Sequence, residues 1–93
     1  ELEKETKRCA ENGWLLGYHI CDFKPDQDDM LLDRGIMGEG CAPLKEIDQL
    51  VKGTGFAGAV EIEIFSQKWW DRDQGEFLDH ILKQYQSIYR DSP

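Results

Sequence analysis

Long apolar runs are missing from this chain. No stretch approaches the ~20 residues that span a bilayer, and the opening Glu1-Leu2-Glu3-Lys4-Glu5 lacks the chemistry of a signal peptide. The expected compartment is therefore the cytoplasm. Cysteine is scarce: Cys9, Cys21 and Cys41 are odd in number and without CxxC spacing, so a disulfide framework is not expected and buried free thiols are. Cations are few as well. Eleven Lys and Arg face nineteen Asp and Glu, for a formal charge of −8. That balance opposes the counterion release that rewards binding to nucleic acids and anionic membranes, and neither is an expected partner.

What is there is a folding composition, with 40% hydrophobic and 32% charged residues in 93, the size of one small domain. Residues 2–12 mix Lys and Glu at helical spacing with a thin apolar face of Leu2, Thr6 and Cys9, so this helix needs a neighbour. Residues 14–23 read as a strand covered on both faces. Residues 24–41 form a long Asp- and Gly-rich loop. Pro43 opens a helix over 43–52 with Leu44, Ile47, Leu50 and Val51 on one face. Residues 56–65 alternate, Val60, Ile62 and Ile64 opposite Glu61, Glu63 and Phe65, as a strand does. Asp73 and Glu76 have capping-box spacing before a wide apolar stripe that predicts a helix over 74–89. Trp69 and Trp70 are expected to pack. The order α-β-loop-α-β-α contains one βαβ unit with parallel strands. Their free edges are expected to seek further strands or a second copy.

His19 on the first strand and Glu63 on the second can converge near the carboxyl ends of a parallel pair, where α/β folds place ligands. An imidazole and a carboxylate there suit part of a site for Mn²⁺, Co²⁺, Mg²⁺ or Zn²⁺. A hydrogen-bonded core histidine and a solvent-facing glutamate are the plain alternatives. Glu61 shares the face with Glu63, about 6.6 Å away along a strand. In the loop, Arg34 stands among glycines at Gly35, Gly38 and Gly40, suited to a ligand oxygen or to an ordinary turn. No nucleotide-binding fingerprint is present, and His80 lies off the apolar stripe without an evident role.

Taken in order, "GYHICD", "DRGIMGEG", "PLKEI" and "GFAGAVEIEIFS" resemble the C-terminal end of the sugar phosphate isomerase/epimerase family, the xylose-isomerase-like TIM barrels, across residues 14–89. The resemblance implies an α/β fold in which residues 14–23 and 56–65 are strands 7 and 8 of a (β/α)8 barrel, and residues 1–93 a single partial domain forming its C-terminal quarter. It also implies a divalent metal, Mn²⁺, Co²⁺ or Mg²⁺, held in part by His19 and Glu63. Glu63 would act besides as an acid/base group moving a proton through an enediolate, and Arg34 would contact a sugar or sugar phosphate. Glu61, one layer deeper, would be a buried structural carboxylate or a group supporting the metal ligands. Asp22 would orient a ligand or the following loop. The remaining ligands would lie upstream of Glu1, so the isolated chain is expected to be inactive unless an upstream barrel segment or other chains complete it. A rival reading is a non-catalytic α/β module that self-associates through its strand edges. The family's abasic-site endonuclease activity is opposed by the charge of −8.

Overall fold

The structure, a computed structural model, describes residues 1–89. Helix α1 (Leu2–Glu11) buries no residue. Its surface is laced by Lys7–Glu3 (3.0 Å) and Arg8–Glu5 (3.2 Å) pairs, and it leans on helix α2 (Leu44–Gly53), the neighbour its thin apolar face requires. Helix α2 begins directly after Pro43 and buries Leu44, Asp48 and Val51. A short helix α3 (Gln67–Trp70) follows Ser66, whose Oγ accepts from the Trp69 amide at 3.3 Å. Helix α4 (Gln74–Tyr89) starts where the Glu76 amide donates to Asp73 Oδ2 at 2.9 Å, the cap its sequence announces.

Strands β1 (Tyr18–Ile20) and β2 (Val60–Ile62) pair in parallel with Tyr18, His19 and Ile20 opposite Val60, Glu61 and Ile62. Both are much shorter than the strands expected over 14–23 and 56–65. Beyond the Glu63 amide, which donates to the Ile20 carbonyl at 3.0 Å, the pair is split by residues 33–35. Gly35 bridges antiparallel to Asp22, and Asp33 to Ser66.

The core is Tyr18, Ile20, Ile36, Met37, Leu44, Val51, Ile64 and Tyr89. Two of these, Ile36 and Met37, come from the long loop and are the most completely enclosed apolar side chains. Tyr18 O–H donates to buried Asp48 Oδ1 at 3.1 Å, and Lys52 Nζ lies 3.0 Å from Asp48 Oδ2. Burial raises the Tyr18 phenol above its ordinary range and pushes Tyr89 up to about 12.

Two expectations are corrected. The first strand is not covered on both faces, because His19 stands exposed between buried Tyr18 and Ile20. The fold class changes too. A (β/α)8 barrel closes eight parallel strands, whereas the described residues hold one two-stranded sheet in the order β1-β2. The chain is a small α/β unit and not the C-terminal quarter of a TIM barrel. The motifs whose resemblance implied the barrel carry order and spacing, which two parallel strands backed by helices satisfy equally, because order specifies strand direction and not strand number. Among the described residues no helix is long and apolar enough to cross a membrane.

Candidate functional site

The pleat sends alternate residues to opposite sides, so one sheet face carries the core and the other carries His19, Glu61 and Glu63. Parallel register sets His19 beside Glu61, with Glu63 one step further along the strand. His19 Nε2 lies 2.5 Å from Glu61 Oε2 and Nδ1 lies 2.6 Å from Glu63 Oε2. The imidazole is clamped between the carboxylates. Its side chain is 53% exposed, against 63% for Glu61 and 39% for Glu63, so the cluster is open to solvent and, of the two expectations for Glu61, burial is not met. An ionised carboxylate only accepts hydrogen bonds. Two of them are satisfied together when both ring nitrogens carry protons. Accordingly the hydrogen bond to Glu63, reinforced by the charges of both glutamates, holds His19 above the ordinary imidazole range.

The donor types suit a divalent cation, but both ring nitrogens already face carboxylate oxygens. Among the described residues no group of three or more His, Cys, Asp or Glu side chains is arranged to hold a metal ion. As arranged, the residues do not fit a resident metal, and no chemical step is routed through one.

Arg34 is placed by another route. Its amide donates to the Phe65 carbonyl at 2.9 Å, and its guanidinium carbon lies 5.1 Å from the centre of the Phe65 ring, a cation–π contact. Phe65 in turn meets the half-exposed Trp70 ring at 5.8 Å. Among the described residues Arg34 has no carboxylate within ion-pair distance. The structure therefore brings His19, Glu61 and Glu63 into contact, and places Arg34 above Phe65 without joining it to them.

Two side chains with larger parts than their spacing suggests are Asp22 and Asp33. Asp33 is buried, pairs with Lys24 Nζ at 2.6 Å and accepts from the Asp28 amide at 2.8 Å. Lys24 chiefly, then the amide, hold its carboxyl below the usual carboxylate range. Gly40 serves the protein's own packing, since a Cβ there would run into the Phe23 carbonyl and lie 2.8 Å from Asp22 Oδ1. Trp69 packs as expected, stacked on Phe77 at 5.2 Å and 11°, with Arg72 4.9 Å from its ring centre. His80 leans on the same indole at 5.0 Å. The three cysteines are free, Cys9 and Cys21 half-buried and Cys41 exposed, so full burial is not the reason they are unpaired.

No family model matches this sequence, and no curated protein does. Among solved structures the chain is similar to the crystal structure of protein SMc04130 from Sinorhizobium meliloti 1021, with 38% sequence identity over 94% of this chain and a TM-score of 0.88. The chain spans 32% of that protein's length, an extent that fits a small domain.

Proposed function

We propose that the open sheet face is an acid/base site for proton transfer at the carbon beside a sugar carbonyl, the chemistry of an isomerase or epimerase of sugars or sugar phosphates. The observation that carries this reading is the 2.6 Å His19–Glu63 pair on an exposed face. Glu63 takes the proton from carbon. The electron pair moves into an enediolate, and the His19 N–H, freed from a carboxylate by the incoming substrate, donates to the developing oxyanion. Arg34 supplies a guanidinium for a substrate oxygen or phosphate. The compartment that suits such a substrate is the cytoplasm. A divalent cation such as Mn²⁺, Co²⁺, Mg²⁺ or Zn²⁺ would have to part His19 from Glu63 before using them as ligands.

One carboxylate suffices to exchange a proton. Inverting the carbon requires a second base on the opposite side. The isolated chain is therefore expected to be inactive in net epimerisation, as its missing partners imply, and to carry out only the half-reaction, washing deuterium from D2O into one carbon of a ketose or ketose phosphate. Glu63→Gln should slow the wash-in by about 10²–10⁴-fold. Absence of exchange across a panel of ketoses and their phosphates, or exchange indifferent to Glu63→Gln, overturns the proposal. Mn²⁺ titration decides the cation separately: binding abolished by His19→Ala and Glu63→Gln supports it, and binding unchanged by both sinks it.

A second reading has its own observation. Among the described residues each strand is paired along one side only, and Leu16, just ahead of β1, is 87% exposed. Both favour self-association through the strand edges. A well-folded 10.8 kDa monomer in solution would contradict it.

A further inference from the structure

Four backbone amides converge on one carboxylate at the end of β1. Asp22, 2% exposed, accepts on Oδ1 from Phe23 N at 2.8 Å and Ala42 N at 3.0 Å. On Oδ2 it accepts from Gly38 N at 2.8 Å and Gly40 N at 2.9 Å. Among the described residues no Lys, Arg or His pairs with it, so its charge is met by peptide dipoles alone. The positive φ of +101° at Gly38 turns the chain so that two of these amides reach the same oxygen.

The main chain of Asp22 completes the arrangement. Asp22 N donates to Gly35 O at 2.9 Å and Gly35 N to Asp22 O at 3.0 Å, while the neighbouring Arg34 N donates to Phe65 O at 2.9 Å. Arg34 thus hangs between the extension of β1 and the extension of β2. Among the described residues its guanidinium has no carboxylate to hold it, so its place is set by the backbone and the Phe65 ring, and the backbone is gathered by Asp22.

We infer that Asp22 is a positioning residue: by collecting the amides of Gly38, Gly40 and Ala42 it fixes the 33–42 loop, and so presents Arg34 above Phe65. The use made of Arg34 rests on the proton-transfer reading. The placement itself can be tested without it.

Nuclear magnetic resonance of the 93-residue chain supplies the test. In the unsubstituted protein, couplings through the hydrogen bonds from Phe23, Gly38, Gly40 and Ala42 amides to the Asp22 carboxyl carbon are expected, and the Phe65 ring should shift the Arg34 side-chain protons upfield. Absence of the couplings overturns the inference with no substitution made. Asp22→Asn puts an NH2 where an oxygen faces two N–H donors. Either the Gly38 and Gly40 amides or the Phe23 and Ala42 amides should then exchange on the order of tenfold faster. The Arg34 shift should collapse toward its unfolded value, while the Ile20 and Ile62 amides keep their protection. An Arg34 shift that survives the loss of those amide bonds overturns the positioning role and leaves the Glu63 deuterium experiment untouched. Failed deuterium exchange with these signatures intact overturns the proton-transfer reading alone.

Discussion

The two faces of the β1–β2 sheet are built from neighbouring residues and obey opposite physics. Tyr18 and Ile20 point into the core with Val51, Ile64 and Tyr89, and that face is held by removal of apolar surface from water. His19, between them, stands in solvent and is held by two carboxylates. A step of one residue along the strand exchanges stability for chemistry. It follows that the chemical face can be altered with little consequence for folding, while the core face cannot.

The largest expected effect is on the buried side. Ile20→Ala removes a side chain that is 4% exposed and should cost about 2–5 kcal/mol of unfolding free energy, read by urea denaturation. A loss below about 1 kcal/mol would erase the contrast between the faces. Next is Asp48→Ala, which leaves the buried Tyr18 hydroxyl without the acceptor it has at 3.1 Å. About 1–3 kcal/mol should be lost, and Tyr18→Phe in the same background should recover part of it, since the stranded donor is then gone. On the open face, Glu63→Gln should move stability by no more than about 0.5 kcal/mol while deuterium wash-in falls. A variant that unfolds instead would show that the clamp is structural.

The elements most legible in the sequence are those with a long period or a cap. Helix α4 starts where its stripe and Asp73 place it, and α2 begins after Pro43. Alternation over 60–65 correctly separates Ile62 and Ile64 from Glu61 and Glu63, and the pairing of His19 with Glu63 follows from it. The shortness of the strands was not legible, because residues 33–35 displace the continuing pair and nothing in their own pattern says so. Nor was the loop core: Ile36 and Met37 look like two apolar residues in a glycine-rich turn, yet they are enclosed because Asp22 satisfies the amides around them. A carboxylate that replaces a ladder of backbone hydrogen bonds has no period to read. The barrel expectation failed for a related reason, since strand count is a property of pairing partners and the motifs carry only order and spacing.

The smallest effect expected is also the most specific. His19 is held above its ordinary value by Glu63 and then by the charge of Glu61, so the folded chain binds the imidazolium proton more tightly than the unfolded chain does. By linkage, its contribution to stability is fully present below the unfolded value near pH 6.5. It declines as pH rises from there through the raised folded value and is absent above it. Urea midpoints measured from pH 5 to 9 for the unsubstituted chain and for His19→Gln should therefore differ by a term that falls with rising pH. Other titrations are common to both chains and cancel, and the loss expected as Asp33 protonates away from Lys24 lies on the acid side of this range. Because the cluster is open to water, this term should be far smaller than the Ile20→Ala loss. A difference that rises with pH would mean that neutral His19 is the favoured folded form, and the Glu61–His19–Glu63 clamp would then have to be redrawn with a protonated carboxyl donating to the ring.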